Sequence, residues 1–96
     1  MGADQTDPGD SWCERLSESL RGGSGLPAAT LSPHLRGRVL RIARDVAHGT
    51  ERKNAPVATF IAGRYVEARC AEGADAETAL NEVAEAVARL LPRATP

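Results

Sequence analysis

Aromatic side chains are almost missing from this chain: Trp12, Phe60 and Tyr65 are the whole supply. With so few rings, any interior must be filled by alanine, leucine and valine. Alanine is the best helix former and a poor strand former, so the composition points to an all-α protein with closely packed helices. No apolar run approaches the ~20 residues of a membrane span. The N-terminal stretch is acidic and polar, with no apolar segment of the secretory kind, so a cytoplasmic setting is expected. The two cysteines, Cys13 and Cys70, lack the close spacing of a metal or redox motif. Reduced thiols are the expectation, with a disulfide between them left open. His34 and His48 have no evident companion ligands, so no metal is expected, and no cofactor. The run Gly22-Gly23 follows no strand and is not a phosphate loop.

What is present is a small domain with an uneven charge. Ninety-six residues bury roughly 60–65% of the unfolded surface, enough for one modest core. The net charge of −1 hides three blocks. Residues 1–33 carry five acids against Arg15 and Arg21, and residues 70–96 carry five against Arg89 and Arg93. Residues 34–69 carry eight Arg or Lys against Asp45, Glu51 and Glu67. The blocks therefore stand at −3, +5 and −3. Acidic helices packed beside basic ones would neutralise them, each exposed pair contributing ~0–1 kcal/mol. Alternatively, the centre is an anion-attracting face over residues 36–53.

Periodicity predicts four helices, over about 11–20, 33–48, 56–70 and 76–91. The expected organisation is a tail at 1–9, one helical domain at 10–91 with a flexible linker at 21–31, and a tail at 92–96. The fold class is all-α, a small bundle of four helices whose first is short and loosely attached. Asp10 or Ser11 can cap that helix, and Trp12, Leu16 and Leu20 form one stripe. Ser32-Pro33 reads as an N-cap followed by proline at the first helical position. Leu35, Val39, Ile42, Ala43 and Val46 then line a core face, and Gly49 stands where a left-handed C-terminal glycine belongs. Asn54 reads as the cap of the third helix, with Val57, Phe60, Ile61, Tyr65 and Ala68 as its broad apolar face. Thr59, Gly63 and Val66 fall on the other side, where a helix-interior glycine suggests close approach by a helix or a partner. Asp75 is an N-cap, and Leu80, Val83, Ala84, Val87 and Leu91 make the cleanest amphipathic stripe. Glu14/Glu18 and Glu82/Glu85 read as solvated acidic surface.

The densest polar chemistry lies between Ile42 and Gly63. Arg41, Arg44 and His48 are spaced three and four apart, away from the core stripe, and Asp45 can reach Arg41 or His48. Arg52 and Lys53 follow in the connection, close to a helix N-terminus that suits anions. Arg44, Asp45, His48, Arg52 and Thr59 are therefore the candidate ligand- or partner-binding residues. Asp45 can simply pair with Arg41 or cap the loop, and three others also have a structural reading. Arg44 and His48 favour the negative end of their helix, Thr59 can bond back to a carbonyl, and His48 can tie one ring nitrogen to the turn. No nucleophile and base form an evident pair, so no catalytic residue is assigned and a non-enzymatic role is favoured.

Ala43-Arg-Asp-Val-Ala-His-Gly49, then Arg52, then Ala55-Pro-Val-Ala-Thr-Phe-Ile-Ala-Gly63, resemble the hallmark of a small bacterial domain, domain of unknown function 6457. The resemblance covers roughly residues 31–91. It implies a domain that occurs alone or fused behind molybdenum cofactor guanylyltransferase, the enzyme joining a guanine nucleotide to molybdopterin. It thereby implies an accessory or interaction role in making the molybdopterin guanine dinucleotide cofactor, with that transferase as partner. The alternative is a binding domain or enzyme for an anionic nucleotide or pterin, using Arg44, His48 and Arg52. A third reading, a helical DNA binder, is opposed by the acidic balance, by Pro56 in the turn and by few base-reading side chains.

Overall fold

The computed structural model describes residues 8–24 and 31–91. It contains four helices and, among the described residues, no strand: α1 (Pro8–Ser24), α2 (Pro33–Gly49), α3 (Asn54–Ala71) and α4 (Ala76–Leu90). The all-α class is thus established. The chain divides into two compact units, Met1–Leu31 and Ser32–Pro96. In the first, α1 begins three residues before and ends four residues after the expected 11–20. Proline is tolerated in a first helical turn, where its missing N–H has no partner to lose. At the other end the helix continues through Gly22 and Gly23, two residues of the expected linker.

In the second unit α2, α3 and α4 each pack on the other two. The Ser32 hydroxyl accepts from the Leu35 N–H at 3.2 Å, and Pro33 opens α2 as expected. Asp75 accepts from the Thr78 N–H at 2.7 Å and opens α4. That bond stabilises the charged form and lowers the Asp75 pKa. Between these caps, Ile42, Val46 and Leu80 are buried at the centre, with Leu35, Val39, Ala58, Val66, Val83, Ala84 and Val87 packed around them. Removing a Val, Leu or Ile side chain from water contributes roughly 1.5–3 kcal/mol, so this cluster is the main stabilising element of the unit.

The third helix sits the other way round from the sequence expectation. Its buried side is Ala62, flanked by Ala58 and Val66, while Val57, Phe60 and Ile61 are 58%, 67% and 60% exposed. Apolar residues run around most of α3, so its pattern names no inner face. Spatial fit decides instead. A helix wedged against two neighbours needs small side chains at the contact, and Ala58, Ala62 and Val66 supply them at intervals of four.

One glycine, Gly49, has a different task from that expected, and a second, Gly73, takes the left-handed role. Gly49 is the last residue of α2 and is not left-handed. It packs against Leu91, since a Cβ built there would lie 2.6 Å from Leu91 Cδ2 and that side chain would have to shift to admit it. Among the described residues only Gly73 has a positive φ, 106°. It follows the end of α3, where the Gly73 N–H donates to the Cys70 carbonyl and the Ala74 N–H to the Arg69 carbonyl at 3.0 and 3.1 Å. This is the Schellman arrangement, which a Cβ would strain.

Candidate functional site

The turn between α2 and α3 is tied by residues other than His48. The Thr50 hydroxyl donates to the Val46 carbonyl at 2.6 Å, and the Asn54 side-chain amide donates to Thr50 Oγ1 at 3.1 Å. Asn54 therefore braces the turn and does not cap α3. The N-cap position is Lys53, which has no side-chain capping bond. The expected bond from His48 to the turn is not formed among the described residues, and neither is a pair of Asp45 with Arg41 or His48.

Arg44, Asp45, His48 and Arg52 are all exposed, and Thr59 is half-buried. The Thr59 hydroxyl donates to the Pro56 carbonyl at 2.9 Å, the backbone bond expected of it. Among the described residues, Asp45 alone of these five borders the groove between α2 and α4, which it shares with His34, Arg38 and Arg41. His34 Nε2 lies 3.0 Å from Glu77 Oε2, and Arg38 approaches the same oxygen at 3.8 Å. The groove encloses about 680 Å³ and is closed on the α4 side by Ala84, Val87, Ala88 and Leu91.

A second groove, of about 570 Å³, runs between α3 and α4 and is mainly apolar, with Ile61, Tyr65, Val83 and Leu90 in its lining. Ile61 belongs equally to the outward face of α3. There Val57, Phe60 and Ile61, spaced i, i+3 and i+4, form one apolar surface. The exposed Tyr65 and Leu90, 41% and 85% accessible, extend it toward α4. Gly63 is exposed on α3 as well, and a Cβ there would meet nothing within 4 Å. Within the unit Ser32–Pro96, none of the described residues explains that glycine by close approach.

Beside this groove lies an ionic staple that sequence reasoning missed. Arg69 grips Glu82 with two bonds, Nε to Oε1 at 2.9 Å and Nη2 to Oε2 at 3.0 Å. Arg69 Nη1 also reaches Glu72 at 3.0 Å, and the Tyr65 hydroxyl donates to Glu82 Oε1 at 2.6 Å. Arg69 first, and then Tyr65, hold the Glu82 pKa down to about 2. Glu82 in turn raises the pKa of Tyr65. Glu82 is thus a bound partner of α3 and not a freely solvated acid. The available signal was Tyr65 and Arg69, four apart on one helix, but nothing local indicated which acid would face them.

Both cysteines are free, Cys13 exposed and Cys70 half-buried. Among the described residues no three His, Cys, Asp or Glu side chains are grouped to hold a metal ion. Also among them, no helix is long and apolar enough to cross a membrane.

Among the described residues, the helices of the unit Ser32–Pro96 form a groove between α2 and α4, another between α3 and α4, and an exposed apolar face on α3. The chain belongs to the family described as Domain of unknown function (DUF6457), whose model matches residues 4–96. That match takes in α1 as well as the 31–91 segment that carries the motif resemblance. No curated protein and no solved structure matches the chain.

Proposed function

We propose that this chain is a non-catalytic interaction domain serving the synthesis of the molybdopterin guanine dinucleotide cofactor. It docks on molybdenum cofactor guanylyltransferase through the outward face of α3, in the cytoplasm. The observation that carries the docking is the uncovered cluster of Val57, Phe60 and Ile61. Contiguous apolar surface rimmed by polar groups marks interaction sites, and an exposed aromatic is a favoured anchor. Arg64 and Glu67 supply a charged rim on the same helix, both exposed. The uncrowded Gly63 lets a partner's backbone come close. The identity of the partner rests on the resemblance, which implies related domains fused behind the transferase.

The test is a titration of the purified guanylyltransferase of the same genome with the wild-type chain and with a Phe60→Ser, Ile61→Ser double variant. The expected result is wild-type binding, weakened at least about tenfold in the variant, a loss of ~1.4 kcal/mol, with helicity retained. Absence of wild-type binding, together with normal cofactor loading in cells lacking the chain, refutes the partner. Equal binding by the double variant refutes the face.

A further inference from the structure

Gly37 stands in the interior of α2, where glycine is the least favourable residue after proline. Nothing in the packing of the described residues asks for it, because a Cβ at Gly37 would meet none of their atoms within 4 Å. It does line the groove between α2 and α4. The space it leaves therefore belongs to the groove.

The two walls of that groove differ in chemistry. On α2, Arg38 and Arg41 lie one turn apart on the lining. Arg38 has only the 3.8 Å approach to Glu77, whose oxygen His34 already holds at 3.0 Å. Arg41 has no hydrogen bond or ion pair among the described residues, and neither has Asp45. The lining on the α4 side is apolar, made by Ala84, Val87, Ala88 and the following Leu91, with the Glu77 carboxylate two turns away on α4 against His34 and Arg38, and Ile42 makes the floor. The volume of about 680 Å³ falls within the range of small-molecule sites, roughly 300–1,000 Å³.

We propose that the groove between α2 and α4 binds a small amphiphilic anion. Its apolar body lies against Ala84, Val87, Ala88 and Leu91, and its acidic group rests on Arg38 and Arg41. Gly37 leaves the width for that body. Asp45, at the far end of the row, accepts a hydrogen bond from a donor on the ligand and repels a second negative charge there. The site is independent of the α3 face and of the proposed transferase partner, since it shares none of the residues that form them.

The test uses three probes on the full chain, followed by amide NMR and fluorescence. They are 8-anilinonaphthalene-1-sulfonate, an aromatic body with an acid; N-phenyl-1-naphthylamine, the similar body without it; and inorganic phosphate, the anion alone. The sulfonate should shift the amide signals of Gly37, Arg41 and Ala88, and should bind at least about tenfold more tightly than either other probe, because charge-assisted bonds and apolar contact act together. Gly37→Leu fills an open position and should weaken the sulfonate about tenfold or more with helicity unchanged. Arg41→Gln should bring its affinity down toward that of the neutral probe. Phe60→Ser, which strips the separate α3 face, should leave it unchanged. Shifts confined to α3, or undiminished binding in Gly37→Leu, overturn the site. Equal binding of the sulfonate and the neutral probe overturns the anionic part of the assignment.

Discussion

Two substitutions on α3, six and eight residues into its sequence, separate the observed orientation from its reverse. Phe60 is 67% exposed, so only about a third of its side chain is withdrawn from water. Full burial of a phenylalanine contributes roughly 1.5–3 kcal/mol, and a third of that is about 0.5–1. Phe60→Ala recovers part of this, because alanine is the better helix former by roughly half a kcal/mol. The net cost should be about 0.5 kcal/mol or less, which in a domain of this size is no more than about 4 °C in Tm. Ala62 is 5% exposed and faces the core. Ala62→Leu inserts three carbons where the helices meet, and overpacking of that kind costs typically 1–3 kcal/mol, at least about 4 °C. Thermal unfolding followed by far-UV circular dichroism gives both numbers. If Phe60 were inside, Phe60→Ala would cost about 3–5 kcal/mol as a large-to-small core change. A loss of that size, with Ala62→Leu tolerated, would refute the orientation of α3 and the docking face drawn from it.

The staple makes stability depend on acid. Because the Glu82 pKa is depressed from 4.5 to about 2, its contribution is complete above the ordinary glutamate range and is lost as pH falls through that interval. Wild-type Tm should therefore exceed that of Glu82→Gln at neutral pH, and the gap should narrow from about pH 5 down to about pH 2; parallel curves would show that the bidentate pair adds nothing. His48 is exposed and makes no bond among the described residues. His48→Ala should stay within about 0.5 kcal/mol of wild type by chemical denaturation, as surface changes usually do. A loss of about 1–3 kcal/mol would mean that His48 satisfies a group which the substitution strands.

Several parts of the fold were legible because their causes are local. Ser32-Pro33 and Asp75 announce α2 and α4, since a cap needs only one acceptor and an N–H three residues on. The stripes Leu35–Val46 and Leu80–Val87 name their own inner faces, because the charged residues of each helix gather on the opposite side, with alanines and the exposed Leu40 and Leu90 among them. Thr59 could be read as a back-bonding hydroxyl for the same reason. The start of α1 at Pro8 was less visible, since Asp10 and Ser11 offer capping chemistry two and three residues later.

The sequence by itself determined that the protein is all-α, where α2 and α4 begin, and which of their sides make the core. The tertiary structure decided what the periodicity of α3 left open. With apolar residues on nearly every side, only the space between α2 and α4 could select Ala58, Ala62 and Val66 as the inner row and leave Phe60 outside. It also separated the polar chemistry between Ile42 and Gly63. Asp45 joins His34, Arg38 and Arg41 on the α2 side of the groove that faces α4, which Arg44, His48, Arg52 and Thr59 do not border. Spacing along one helix fixes which residues share a side, but the helix packed against that side decides which of them border a groove. The pairing of Arg69 and Tyr65 with Glu82 depends in the same way on the relative placement of α3 and α4, which no local pattern encodes.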